Sequence, residues 1–233
     1  MTQTPQTSQT SQTELIYERL RQSILSLAVT PGARLTERGL EAELAASRTP
    51  VRAALTRLEG EGLMQRDGRG WRVSPIDLGE VEAQLEFRSA VEAAAVRLAA
   101  LRATDAQIDA LDDLLLSFDP PESEEAGHRM GTDFHVELVR LSGNPFMVAS
   151  AVSSLTRLAR TRWLEVRTRE SRVRAIDEHR AIVEALRRRA GDEAARLVVA
   201  HIERTRERLV LSLDEERSRS LRARGYEVIA PGR

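Results

Sequence analysis

The 233-residue chain contains no cysteine and no lysine. Without cysteine it has no disulfide, no thiolate nucleophile and no cysteine-based zinc site. Aromatic residues make up only 3%, so a core must be packed from Leu, Val and Ala. No apolar run is long enough to span a bilayer, and the N-terminus lacks the apolar stretch of a signal peptide. A cytoplasmic protein with no membrane partner is expected. The formal net charge of −1 gives no overall field toward nucleic acid, so any such attraction must be local. All 35 basic residues are arginine, whose planar head suits bidentate recognition. The 41% hydrophobic share supports a core in one large domain or two modest ones.

Residues 1–12, MTQTPQTSQTSQ, cannot bury apolar area and read as a disordered tail. Ile16, Leu20, Ile24 and Leu27 then recur at helical spacing, and Pro31-Gly32 marks a turn. Thr36 is placed to cap a helix running from about Glu37 to Ala45, with Leu35 and Leu40 at hydrophobic-staple positions. Ser47 is placed to cap a third helix striped by Val51, Leu55 and Leu58. A three-residue turn between two short helices predicts a helix-turn-helix. Asp67-Gly68-Arg69-Gly70, flanked by short extended runs, predicts a hairpin with positive φ at Asp67 and Gly68. Residues 13–76 therefore read as a winged helix-turn-helix with a small β-hairpin wing. Residues 74–77 read as a linker. Residues 77–233 read as an all-α bundle of about six helices, at about 78–102, 104–118, 122–142, 145–168, 170–190 and 192–220. Thr104 and Asp192 are expected as caps, Gly191 as a helix stop, and 225–233 as irregular. The fold class is mainly α.

The cations are placed unevenly. Residues 1–76 carry ten Arg and eight acidic residues; the remainder carries twenty-five and twenty-eight. Arg48 and Arg52 share a face at the start of the third helix, where a helix-turn-helix meets base edges. An arginine there can hold guanine through two hydrogen bonds. Thr49 can reach a phosphate or a thymine methyl, Arg38 a backbone phosphate, and Gly68 with Arg69 the minor groove. The alternative for each arginine alone is a solvated face shared with Glu37, Glu41 and Glu59.

In the helical half, His135, His179 and His201 each lie on the apolar stripe of a different helix. Three inward imidazoles can converge on a metal ion; alone, each would read as a hydrogen-bonded core histidine. Arg88 and Glu92 share a stripe with Leu85, Ala95 and Ala99. They form either a surface ion pair or a pair turned into the bundle. Asn144 and Trp163 are further pocket candidates. Arg157, Arg160 and Arg162 either add affinity for an anion or make up a solvated face.

YERLRQSIL, PGARLTERGLEAELAASRTPVRAALTRLEGEGL and the short wing resemble the DNA-binding domain of the GntR family of bacterial transcriptional regulators. EFRSAVEAAAVRLAA, DFHVELVRLSGNP and DEHRAIVEALRRRAGDEAARLVVAHIERT resemble the FCD-type effector domain of its FadR subfamily. The resemblance implies operator contacts by Arg38, Arg48, Thr49, Arg52 and Gly68. It implies a homodimer, a small and commonly carboxylate effector bound by Arg88 and Glu92 turned inward, and a divalent ion at His135, His179 and His201. Zn or Ni, one per subunit, suits imidazoles better than Mg. Two departures stand out. Ala45 replaces the usual turn glycine. Gly131 replaces the aspartate that metal-binding members place four residues before the first histidine. The site therefore binds a carboxylate effector with or without metal.

The leading expectation is a ligand-responsive DNA-binding regulator, a repressor rather than an enzyme. A three-His metal-dependent enzyme and a non-catalytic helical scaffold are the alternatives.

Overall fold

The computed structural model describes residues 11–118, 122–219 and 228–229. Most of the expected tail lies outside these residues. Ser11 and Gln12 do not belong to it: Ser11 accepts from Glu14 N at 3.2 Å and caps helix α1, Gln12–Leu25. Residues 11–75 form one compact unit; the described residues from 76 onward form another.

In the first unit α1 is followed by strand β1 (Arg34–Leu35), helices α2 (Glu37–Leu44) and α3 (Arg48–Gly60), and strands β2 (Met64–Asp67) and β3 (Gly70–Val73). Thr36 caps α2 as expected, accepting from Gly39 N at 3.1 Å. Ser47 stands at the cap of α3 but its side chain makes no capping bond. Val51, Ala54, Leu55 and Leu58 of α3 are fully buried. Burying a Val or Leu side chain stabilises by about 1.5–3 kcal/mol, so this stripe anchors α3.

Three local details differ from expectation. β1 makes the wing three-stranded, antiparallel, in the order β1-β3-β2. Asp67 pairs with Gly70, which leaves Gly68 and Arg69 as the two turn residues. Only Gly68 of these takes positive φ, +59°, as the first central position of a type II′ turn requires. Ala45 is left-handed, φ 49° and ψ 45°, a conformation that costs an L-residue roughly 1–2 kcal/mol.

The second unit contains strand β4 (Ile76–Asp77), helices α4 (Leu78–Arg102), α5 (Asp105–Leu116), α6 (Glu124–Arg140), α7 (Pro145–Glu165), α8 (Arg169–Arg187) and α9 (Gly191–Arg219), and strand β5 (Val228–Ile229). The six expected helices are present. The expected linker and irregular end instead contribute β4 and β5, which pair in parallel. Thr104 forms a reciprocal capping box with Gln107. Gly191 does not stop a helix; it opens α9. The reversal falls at Arg189, φ 57°, and Asp192 sits in the first turn of α9. A Cβ on Gly191 would stand 3.1 Å from Ala100 Cβ, so a small residue lets α9 start against α4. Buried Ala95, Val139 and Ala151 form an apolar cluster where α4, α6 and α7 meet.

Candidate nucleic-acid interface and candidate effector site

In the first unit, a single carboxylate organises the basic groups. Glu37 opens α2 and accepts from Arg48 Nε at 2.7 Å and Arg52 Nε at 3.2 Å. Trp71 Nε1 of β3 donates to the same carboxylate at 3.4 Å. Trp71 is buried, and the Arg66 guanidinium lies 3.6 Å over its ring. Glu37 thus joins the starts of α2 and α3 to the wing. The bond from Arg48 holds its carboxyl below the usual range, followed by Trp71 and Arg52, against an opposing effect of burial.

The expected contacts are accessible. The Arg48 and Arg52 side chains remain 66% and 56% exposed despite their ion pairs. Arg38, Thr49, Gly68 and Arg69 are also exposed. Among the described residues neither Arg38 nor Arg69 is in an ion pair. A Cβ on Gly68 would meet nothing within 4 Å, so the tip is open to close approach. Asp67 binds Arg72 at 3.1 Å and Arg34 at 2.7 Å, which fixes the base of the turn.

In the second unit, His135 of α6, His179 of α8 and His201 of α9 converge and are buried. His201 Nε2 lies 3.2 Å from His135 Nε2 and 3.3 Å from His179 Nε2. His135 Nδ1 lies 2.8 Å from Glu92 Oε2, and His201 Nδ1 2.6 Å from Glu178 Oε2. A carboxylate only accepts, so both Nδ1 atoms carry the proton and donate. Two bare Nε2 lone pairs then face each other across 3.2 Å. Burial, followed by neighbouring cations, pushes His135 well below its ordinary value; burial and the other two imidazoles do the same for His179. A tetrahedral ion with nitrogen ligands at about 2.0–2.1 Å separates those ligands by roughly 3.3 Å. The donor set fits such a cation, with outer carboxylates orienting two of its three ligands.

Arg88 and Glu92 are not on the surface. They are 1% and 0% exposed, and Glu92 takes Arg88 Nε on one oxygen and His135 on the other. Glu92 is thereby spent as a bridge, whereas Arg88 Nη2 is buried without a partner. Arg88, Gly131, Arg162 and the three imidazoles line one small cavity of about 20 Å³. Asn144 and Trp163 lie outside that lining. Asn144 caps α7, accepting from Phe146 N and Met147 N, and Trp163 tilts against His128 with ring centres 5.1 Å apart. His128 meets the carbonyl of Ala159 and not the triad.

Residues 12–73 match the bacterial regulatory proteins of the gntR family, and residues 83–204 match the FCD domain. The chain belongs to the gntR family. This gntR member is 36% identical over 177 residues to the Nta operon transcriptional regulator of Aminobacter aminovorans, covering 75% of this chain and 83% of that protein. It is 32% identical over 212 residues to the HTH-type transcriptional repressor NanR of Escherichia coli K12, covering 81% of each. Its fold is that of the E. coli protein McbR/YncC, with TM-score 0.69 and 19% identity over 88% of this chain and all of the other. A putative GntR regulator from Rhodococcus sp. RHA1 is similar, with TM-score 0.68 and 22% identity over 86% and 98%. The chain is thus a transcriptional regulator carrying an FCD effector-binding domain. No helix among its described residues is long and apolar enough to cross a membrane.

Sequence reasoning about this gntR member missed Glu178, the partner of His201. Glu178 is adjacent to a ligand candidate, yet it serves a histidine on the next helix. It gave Glu37 no partner beyond the alternative of a solvated face. Glu37 was identifiable as a first-turn acid, but its arginine and tryptophan partners come from α3 and β3.

Proposed function

We propose that the chain is a cytoplasmic homodimeric repressor that reads a palindromic operator and releases or tightens it when a small carboxylate binds the FCD domain. The observation that carries this reading is the exposed pair Arg48 and Arg52 on the first two turns of α3, held side by side by Glu37. Each can take a guanine edge, which contributes about 1–3 kcal/mol of discrimination. Thr49 and Arg38 contact the backbone, and Gly68 with Arg69 approach the minor groove. Half-sites lie about one helical turn apart or less. The repressor relative supports repression as the sign.

His135, His179 and His201 hold one Zn or Ni ion per subunit, an assignment supported by their facing lone pairs. A bound ion would supply positive charge to attract an effector oxygen. Arg88 then orients the effector carboxylate, its Nη2 having no other partner. Effector binding couples to operator affinity through its differential affinity for two states of the dimer.

The test is selection of the operator from random duplexes, followed by gel-shift titration over a salt series with Arg48→Ala and Arg52→Ala. Each variant should lose about tenfold or more on the selected site. If neither loses affinity, the reading fails.

A further inference from the structure

Arg66 lies on β2, an edge strand of the wing, directly across the ladder from Trp71. Cross-strand partners share a sheet face, so its side chain points the way Trp71 does, toward α2 and α3. The guanidinium stacks 3.6 Å over the buried Trp71 ring. Its Nη1 lies 3.9 Å from Glu37 at the start of α2, and its Nε lies 3.9 Å from Glu59 on α3. Both distances are too long for a hydrogen bond. Among the described residues Arg66 donates none, and its side chain is 45% exposed. The group is held by its flat face while its N–H edge stays unspent.

The neighbouring arginines are differently engaged. Arg34 and Arg72 share Asp67 on the opposite face of the sheet. Arg48 and Arg52 donate to Glu37, the carboxylate that Arg66 only approaches. Arg66 therefore stands where α3 meets the wing, two residues before the open tip at Gly68. A duplex that takes α3 in its major groove and Gly68 in the adjoining minor groove carries one sugar-phosphate strand between the two grooves. That strand must cross the space between α3 and the wing tip, with Trp71 behind Arg66 and Glu59 of α3 beside it. A guanidinium edge matches phosphate oxygens. Stacking has already ordered this side chain, so less freedom is lost on contact.

We propose that Arg66, on its Trp71 platform, is a phosphate-binding residue for the DNA strand that separates the two grooves. This role rests on the operator reading proposed above, with α3 in the major groove and the wing in the minor. Phosphates carry no sequence information, so Arg66 contributes affinity and leaves the choice of sequence to Arg48 and Arg52.

The experiment is a gel-shift titration of the full chain over a salt series, on the operator selected from random duplexes and on a random duplex of equal length. Arg66→Met keeps an unbranched side chain over the ring and removes the charge and the donors. It should weaken both duplexes alike, on the order of tenfold. The slope of log affinity against log salt should become shallower by about one. Arg66→Lys, which restores the charge, should restore the slope. An unchanged slope in Arg66→Met overturns the proposal. So does a fall in the ratio of operator to random binding, which would make Arg66 a positioning residue acting through Glu37. Arg48→Ala is the reference. If it lowers operator binding while Arg66→Met binds both duplexes as tightly as the wild type, only the phosphate contact is lost. If neither variant weakens binding, the operator reading falls as well.

Discussion

The carboxylate of Glu37 lies 2.7 Å from Arg48 Nε, and its other oxygen lies 3.2 Å from Arg52 Nε. One acid on α2 thus sets the pose of two guanidiniums on α3. Exposed ion pairs contribute little to stability, so the significance of this contact lies in orientation. Glu37→Gln should leave the melting temperature nearly unchanged and raise affinity for random DNA, because a negative charge beside the duplex is gone. It should lower the ratio of operator to random binding severalfold. Competition gel shifts at fixed salt check this; an unchanged ratio would show that Glu37 does not position the arginines.

Ala45 occupies the left-handed region at the turn between α2 and α3. Ala45→Gly should relieve the strain, offset in part by the added freedom of glycine in the unfolded chain. A net gain of about 1 kcal/mol is expected, read as a higher midpoint in chemical denaturation.

Much of this was legible in the amino-acid order. Thr36, Thr104 and the break before Pro145 mark helix ends through local chemistry, and Leu85, Arg88, Glu92, Ala95 and Ala99 repeat on one stripe. What was not legible depends on partners distant in sequence. Two-residue strands such as β1, β4 and β5 are too short to show alternation. The turn at 67–70 was displaced by one residue because Asp67 closes the ladder while engaging Arg34 from β1. Arg88 and Glu92 read equally as a surface pair or an inward one until the packing of α6 against α4 buries them. Arg162 sits in a run with Arg157 and Arg160, and only the absent side chain at Gly131, on a different helix, explains its pocket.

Glu92 is fully buried between Arg88 and His135. Glu92→Ala strands the Arg88 charge and should cost about 3–5 kcal/mol. Combining it with Arg88→Met should recover most of that loss. Denaturation of the single and double variants measures the coupling; additive effects would rule the bridge out.

Tyr17 donates to Glu61, and burial, then that bond, push its phenol from the ordinary 10.0 up to about 12. The folded state therefore holds the proton longer than the unfolded chain. Stability should be unaffected by this group below pH 10.0 and should fall as pH rises from 10.0 to about 12, where the unfolded chain ionises first. Tyr17→Phe should flatten that part of the profile. Melting curves across the interval, with absorbance titration of the phenolate, test the sign.

The wing's middle strand, β3, is hydrogen-bonded on both edges, to β1 before the helix-turn-helix and to β2 after it. A hairpin tethered on one side could swing as a flap; this one cannot tilt without tearing a ladder on the other side. With Trp71 sunk beneath it and tied to Glu37, tip and reading helix travel as one rigid tool. Any signal that loosens the grip on DNA must therefore relocate the whole tool, because nothing in its joinery lets the tip retract while the helix stays in its groove.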